Sequence, residues 1–172
     1  MATISTSEAI NSIWYALHHG FVARGWEYDG DGNLTVHIRE EPPDEDADLP
    51  VVHIQDASIT SQRVEIGSAD TEAYAEFYIE VYAQSGPQRK RLMDDMLALL
   101  AHDLTAYEFT TSQAFVEPGD EPDATFNSVT QSIGTLFLEE MPSASARSLD
   151  ARNALDRWRA GVDVMYRFSH AT

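Results

Sequence analysis

The stretch AYAEFYIEVYA, residues 73–83, alternates strictly between two kinds of side chain, and the SGP turn at residues 85–87 then leads into a helical pattern. One set of side chains is apolar, and the other contains three tyrosines and two glutamates. Because successive side chains of a strand point to opposite faces of its sheet, this alternation predicts a central strand with a buried face and a Tyr/Glu face. Tyrosine rings carry a large contact area, so we expect the Tyr/Glu face to be covered by another element or to meet a partner.

The segment after the turn predicts a helix that starts beside Pro87, whose missing N–H is tolerated in a first helical turn. This turn holds a dense basic cluster, QRKR at residues 88–91. Positive charge at a helix N-terminus opposes the macrodipole, so we expect compensation by Glu76, by Glu80 or by a partner subunit. The buried face of this helix is predicted to contain Leu92, Met93, Met96, Leu99, Leu100 and Leu104.

The segments before the central strand predict one helix, two turn or loop regions and further strands. Apolar residues at helical spacing predict the helix, with Ser7 as its N-cap. The loop EEPPDEDADLP is too acidic and too rich in proline for a helix or a central strand. These elements are a helix over about residues 8–24, a turn at 29–33, a strand at 34–39, the solvated loop at 40–50, and one bent strand or two short ones at 51–54 and 59–66.

The segments after the second helix predict strands separated by polar loops. The last strand, GVDVMYRF, alternates and should turn Val162, Val164, Tyr166 and Phe168 inward. The stretch from Met141 onward is small and polar, so we expect an exposed loop there. These elements are strands at 107–115, 132–139 and 161–168 and loops at 117–123 and 141–154.

Length and composition restrict the class of protein. At 172 residues the chain fits one domain, residues 1–172. It contains no cysteine, which excludes disulfides, thiolate catalysis and cysteine-ligated metals. No apolar run approaches the ~18 residues that span a bilayer, and the N-terminus lacks the pattern of a secretory signal. We therefore expect a protein that stays where it is made and has no membrane partner.

The charge of the chain is strongly negative. Against 29 acidic residues stand 11 basic ones, a formal charge of −18. This balance argues against a general nucleic-acid binder, which must neutralise phosphates. It still permits a role beside DNA, because a negative wall lets a polyanion pass without binding. A solubilising acidic surface or a salty habitat would give the same composition.

Residues with metal-binding chemistry are present in patterns that fit metal sites poorly. Residues 29–40 place Asp, Asp, Asn and Glu at calcium-loop spacing, but Leu34 stands where the loop needs glycine, so a hairpin turn is the favoured interpretation. The adjacent His18 and His19 point about 100° apart on a helix and cannot share an ion. His37 and His53 could meet across paired strands, without an identifiable third ligand. We expect no metal site.

Catalytic motifs are absent from the sequence. His102 precedes an aspartate, yet a histidine near a helix C-terminus is favoured by the dipole alone. The chain has no nucleophile elbow, P-loop, dinucleotide-binding glycine fingerprint or HExxH motif. We therefore predict no catalytic residues, no cofactor and no enzyme activity.

The order of these elements resembles the tail terminator proteins of long-tailed bacteriophages. The resemblance lies in EVYAQSGPQR, residues 80–89, leading into Leu92 and Leu97, and in RWRAGVDV, residues 157–164. Together with the first helix these segments span most of the chain. The resemblance implies an α+β fold, with a twisted, mainly antiparallel sheet flanked by two main helices and long acidic loops.

The resemblance also implies a structural protein of the virion tail–neck region, made in the host cytoplasm. Such a protein forms a homo-hexameric ring that caps the tail tube, terminates tail growth and joins the tail to the head. Its partners would be further copies of itself, the tail tube protein and a head-completion, stopper or connector protein, while DNA passes through the lumen without specific binding. The candidate interface residues are Tyr74, Glu76, Tyr78, Glu80, Tyr82, Arg89, Lys90, Arg91, Asp44, Asp46, Arg147 and Arg152.

Three other functions are open from the sequence. Another neck protein, a stopper or adaptor, would share the same features. An acidic DNA mimic that occupies the cleft of a DNA-binding enzyme would explain the charge, although the acids concentrate in loops rather than along helices. An unrecognised enzyme or small-ligand protein would have to use His37, His53 or His102 in a closed apolar pocket.

Overall fold

Two helices and seven strands form the part of the chain that the structure describes. The structure is a computed structural model, and it describes residues 3–26, 35–39, 42–43, 49–54, 58–63, 71–109, 129–146 and 157–170. The elements are, in chain order, α1 (Thr6–Ala23), β1 (His37–Arg39), β2 (Val51–Ile54), β3 (Ser58–Arg63), β4 (Thr71–Tyr82), α2 (Gly86–Leu100), β5 (Leu104–Phe109), β6 (Val129–Ala146) and β7 (Arg159–His170).

Strand β4 is the centre of the sheet, as the alternating stretch predicted. It pairs antiparallel with β7 along its whole length, with Phe77 opposite Val164. On its other edge, β2 and β3 pair antiparallel with successive parts of the same strand. The segment predicted as one bent strand or two short ones is thus two strands, β2 and β3, which both pair with β4.

The remaining strands extend the sheet on both sides. Its order is β1-β2-β4-β7-β6-β5, with β3 beside β4, and the β1–β2 pair is parallel. The first part of β6 pairs with β5 and its remainder with β7, with register shifts in both pairings. Such shifts bend a strand, and the sheet is curled. The expected α+β class and mainly antiparallel sheet are confirmed.

The core lies on the apolar face of β4. The apolar side chains of β4 and the inward residues of β7 are buried as predicted, and both helices contribute to the same cluster. Tyr166 carries one polar atom into it and donates a hydrogen bond to the Leu100 carbonyl oxygen (2.8 Å). Burial, together with the Asp103 carboxylate, raises the pKa of the Tyr166 hydroxyl. The group therefore remains a protonated donor at neutral pH.

Helix α1 begins two residues earlier than the sequence predicted. Its N-cap is Ser5, whose hydroxyl accepts from the Glu8 backbone N–H (3.2 Å), while the Glu8 carboxylate accepts from the Ser5 N–H (2.7 Å). The prediction of Ser7 as the cap is wrong, because only Ser5 has a glutamate at the third helical position to complete this capping box. Helix α1 is attached to the sheet edge by Ser12, whose hydroxyl accepts from the Tyr107 N–H (3.0 Å).

Helix α2 is shorter than predicted. Ser85 caps it, Pro87 lies in its first turn, and it ends at Leu100. Leu104 was assigned to its buried face but is the first residue of β5. Leu100 and Leu104 are both buried and are spaced as in a helix. The apolar pattern therefore did not show that the helix ends before Leu104.

The prediction of an exposed loop from Met141 onward is wrong for residues 141–146, which belong to β6. Residues 141–146 continue the strand, and Ser143–Ala146 pair with Asp163, Val162, Gly161 and Ala160 of β7. Pro142 falls within a register shift, where a ladder tolerates a residue that lacks an N–H. Residues 147–154 of that expected loop lie outside the described residues, as do 27–34, 40–41, 44–48, 64–66 and 110–123 of the other predicted elements.

Neither helix of the described chain has the length and apolar character needed to cross a membrane.

Candidate interaction surface

The Tyr/Glu face of β4 divides into an open half and a closed half. In the open half Tyr74 and Tyr78 are half-buried and Glu76 is exposed. In the closed half Glu80 is 1% exposed and Tyr82 is 6% exposed. The sequence predicted that this face is either covered by another element or meets a partner. Glu80 and Tyr82 are covered within the chain. These two residues are not available as an exposed contact.

Arg159 of β7 closes this half of the face. Its Nε donates to Glu80 Oε1 (3.0 Å), and its Nη2 donates to the same oxygen. The other carboxylate oxygen, Oε2, accepts from the Tyr82 hydroxyl (2.6 Å). The guanidinium also lies over the Tyr82 ring, 5.3 Å from its centroid. Both oxygens of the buried carboxylate are thus satisfied, which burial of a charge requires.

These contacts determine the charge state of Glu80. Burial by itself raises the pKa of the Glu80 carboxyl, but the hydrogen bonds from Tyr82 and Arg159 and the guanidinium charge lower it more. The net result is a pKa below the ordinary value, so Glu80 is ionised at neutral pH. The arrangement is a charged cross-strand lock between β4 and β7.

His53 lies on the other side of this lock. It is opposite Glu80 in the β2–β4 pairing and is 6% exposed. Its Nδ1 makes no hydrogen bond with any described residue. His37 and His53 are not directly opposite each other, because the parallel register pairs His53 with Arg39 and His37 with Val51.

A second lock holds the far end of β4 and joins three strands. Arg167 of β7 donates from Nη1 to Glu72 of β4 (2.8 Å) and from Nε to Glu139 of β6 (2.6 Å). Its guanidinium lies over the Phe137 ring, 5.1 Å from the centroid. The hydrogen bond to Glu139, with the further contact to Glu72, raises the pKa of Arg167. The two locks hold the Tyr/Glu face rigid at both ends.

Between the two locks the face is open. Met141 of β6 is 70% exposed and Phe137 is 38% exposed, which makes them the exposed large apolar residues of the described chain. A shallow cleft of about 50 Å³ lies here, lined by Glu76, Glu140, Met141, Ser143, Asp163, Val164 and Met165. Ligand pockets have volumes of roughly 300–1,000 Å³, so the cleft suits contact with a surface better than enclosure of a small molecule.

The basic cluster at the start of α2 divides between two tryptophans. Arg91 lies over the Trp26 ring, 4.2 Å from the centroid, and Asp95 is its carboxylate partner at 3.9 Å. Arg89 lies over the Trp158 ring at 5.4 Å, and Lys90 is exposed. Neither expected acid compensates the cluster, since Glu80 pairs with Arg159 and Glu76 forms no ion pair within the described residues. Asp95 supplies this compensation for Arg91 instead.

The other candidate residues contribute less to the surface. Asp44, Asp46, Arg147 and Arg152 lie outside the described residues, as does most of the suspected calcium loop. Within the described ranges no group of three His, Asp or Glu side chains is placed to hold a metal ion. The His18 and His19 rings meet edge to face, with their centroids 5.4 Å apart. His18 is buried in α1, His19 also packs on the Tyr15 ring (4.2 Å), and His102 is exposed.

Sequence reasoning missed the residues that organise this surface. Arg159, Arg167 and Glu139 were not singled out, although the alternation of β7 places both arginines on its polar side. The alternation of β7 shows on which face the arginines lie but not which residues they contact. Those contacts depend on the register between strands more than 70 residues apart. Asp95 could have been proposed as an i, i+4 partner of Arg91.

No protein-family model matches this chain, and no curated protein is significantly similar to it.

Proposed function

We propose that this chain is a structural protein of a long-tailed bacteriophage virion, located in the tail–neck region. It forms a hexameric ring that caps the tail tube, terminates tail growth and joins the tail to the head. In this proposal the sheet is twisted and flanked by the two helices, and the long acidic loops reach neighbouring subunits. The lumen faces passing DNA, and the net charge of −18 keeps that polyanion from binding.

The observation that carries the proposal is the open part of the Tyr/Glu face. Tyr74 and Tyr78 of β4 are half-buried there, and Phe137 and Met141 are exposed on β6, which β7 separates from β4. The opposite face of the same strands is closed core. Exposed apolar side chains next to tyrosines are typical of protein–protein interfaces. A protein that works by assembly needs such a surface and needs no catalytic pocket.

The two arginine locks support the same proposal. They fix strands β4, β6 and β7 relative to one another through Arg159 and Arg167. A surface whose strands are already fixed loses little conformational entropy on binding. Preorganisation of this kind suits a subunit that must add repeatedly in one geometry.

The test is the state of assembly of the purified chain. Light scattering should give a mass near six times 19.2 kDa, either alone or after addition of the tail tube protein from the same genome. Electron microscopy of tubes assembled with the chain should show a ring at the tube end and shorter tubes. A chain that stays monomeric and does not bind tubes would contradict the proposal, and competition with DNA for a DNA-binding enzyme would then favour the DNA-mimic function.

A pair of variants locates the contact. Met141→Asp puts a charge on the open part of the Tyr/Glu face and should weaken ring formation. Ala98→Asp, on the exposed side of α2, makes the same kind of change away from that face and is the control. Both positions are exposed, so both variants should keep the urea unfolding midpoint of the wild type. Equal assembly by the two variants would argue against this face as the interface.

A further inference from the structure

Two tryptophan–arginine stacks lie along α2. They differ in whether a carboxylate of the described chain balances the positive charge of the arginines. In the first stack, Arg91 covers Trp26 and Arg24 lies beside it. Asp95 serves all three groups, since it pairs with Arg24 (3.3 Å), approaches Arg91 (3.9 Å) and accepts from Trp26 Nε1 (2.9 Å). This stack therefore has its own anion within the chain.

The second stack also contains two arginines, but among the described residues it has no such anion. Arg89 and Arg157 both cover the Trp158 ring, at 5.4 Å and 5.3 Å from its centroid. The ring rests against the first turn of α2, where a Cβ on Gly86 would lie 3.1 Å from Trp158 Cζ3. Together with exposed Lys90 these residues form what we call the Trp158 patch. No carboxylate among the described residues forms an ion pair with Arg89, Lys90 or Arg157.

The composition of the chain makes this patch unusual. Two of the 11 basic residues cover one tryptophan, and a third, Lys90, follows Arg89 directly, in a chain that carries 29 acidic residues. Each of these cations is half-buried or exposed, so an incoming carboxylate could reach it. An arginine stacked on a tryptophan is held in place, and it retains its donors for a second partner. The patch is thus a preorganised receptor for an acidic surface.

We propose that the Trp158 patch binds an acidic surface of a second copy of this chain. Charge complementarity favours this occupant, because the rest of the molecule is strongly negative and is present at the same concentration as the patch. The proposal rests on the proposed function, in that it supplies an interface for the ring.

The charge of the patch also restricts the symmetry of the contact. A two-fold axis through the patch itself would place Arg89, Lys90 and Arg157 against their own copies, which like charges oppose. The patch must therefore meet a different surface of the second copy. Where that contact is head to tail, it produces a ring when the rotation between subunits closes. A basic patch on an acidic subunit is thus compatible with the cyclic assembly of the proposed function.

The experiment compares two arginine removals that change the charge equally. Arg157→Gln removes a cation from the Trp158 patch, and Arg24→Gln removes one from the stack that already contains Asp95. Self-association is measured by light scattering and sedimentation between about 50 mM and about 500 mM NaCl, a range over which surface charges become screened. Urea unfolding of each variant shows whether it is folded.

The expected result is a difference between the two variants. Arg157→Gln should weaken association about fivefold at low salt and flatten its salt dependence, as loss of an exposed ion pair does. Arg157→Glu should weaken it further, and Arg24→Gln should associate as the wild type does. Trp158 is the most exposed of the three tryptophans, so its fluorescence should change on association and the change should be lost in Arg157→Glu.

Other outcomes overturn the inference in distinguishable ways. If the wild type associates and the two glutamine variants weaken it equally, the Trp158 patch is not the interface and the ring proposal stands. If the wild type is monomeric at every salt concentration and with tube protein present, the proposed function fails as well. If a single-stranded DNA oligonucleotide binds the wild type and not Arg157→Glu, the occupant is a nucleic acid and not a second copy.

Discussion

A single carboxylate, that of Glu80, determines how much of the Tyr/Glu face is closed. The alternation of β4 predicted its face but not its burial, because burial depends on Arg159 of β7, which is opposite Tyr82 and reaches Glu80 diagonally. Glu80 and Arg159 are 79 positions apart, and no local pattern encodes which strand becomes the neighbour. The sequence therefore predicted a polar face, and only the register shows that half of it is an internal lock.

Replacing Glu80 should have a large effect on stability. Glu80→Gln removes the charge that Arg159 and Tyr82 contact and leaves a partly buried guanidinium without its anion, which should cost about 2–4 kcal/mol of unfolding free energy. Glu76→Gln, on the same face of the same strand but exposed, should cost less than about 0.5 kcal/mol. Urea unfolding followed by tryptophan fluorescence measures both. Equal losses in the two variants would contradict the lock.

The stabilising effect of Glu80 should depend on pH in the acidic range. The pKa of its carboxyl in the folded state lies below the ordinary value of 4.5. Its contribution is therefore complete above that value and is lost as the pH falls through the lower folded pKa. The difference in unfolding free energy between the wild type and Glu80→Gln should shrink as the pH falls below that ordinary value. A difference that stays constant over this range would show that Glu80 does not titrate as described.

At the scale of elements, hydrophobic periodicity predicted which segments are helices and strands. Capping hydrogen bonds and strand pairing determined where these elements begin and end. The central strand, the C-terminal strand and both helices were predictable from period alone. Residues 141–146 were not, because serine alternating with alanine gives little hydrophobic contrast between the two faces and their extended conformation comes from the ladder with β7. Long-range pairing overrode weak local preference there.

The start of α1 gives a direct test of how such an end is determined. Both Ser5 and Ser7 have a side chain that can cap a helix, but the capping box with Glu8 uses Ser5. Ser5→Ala should lower the unfolding free energy by about 1 kcal/mol. Ser7→Ala is the matched control and should have a smaller effect, since its hydroxyl does not accept the capping hydrogen bond. Thermal or urea unfolding measures both variants. A larger loss of unfolding free energy in Ser7→Ala than in Ser5→Ala would place the cap at Ser7.

At the scale of the whole molecule, charge dominates the behaviour of the chain. The arginine locks and the Asp95 contacts occupy only a few charges, and an excess of 18 negative charges remains. Composition predicted this excess and the lack of thiol chemistry. Neither composition nor the basic cluster at residues 88–91 could predict that Arg157, far along the chain, joins Arg89 on the Trp158 ring.

The excess charge should make stability depend on salt. Raising NaCl from about 10 mM to about 300 mM weakens both the repulsion among the carboxylates and the attraction within the ion pairs. Since the repulsion is more extensive and the Glu80–Arg159 pair is largely buried, the melting temperature should rise. A matched series in sucrose separates this charge effect from general exclusion of cosolutes. A melting temperature that falls with salt would mean that the ion pairs outweigh the repulsion.

Strand β6 also has a mechanical consequence. Its 18 residues span about 60 Å at the rise of an extended chain, and they are bonded first to β5 and then to β7. A force pulling along this strand loads the hydrogen bonds of each ladder in shear, so the bonds within a ladder must yield together. Strand β6 therefore carries tension from β5 to β7 through two successive ladders. We expect a chain built around such a strand to resist being stretched along that direction.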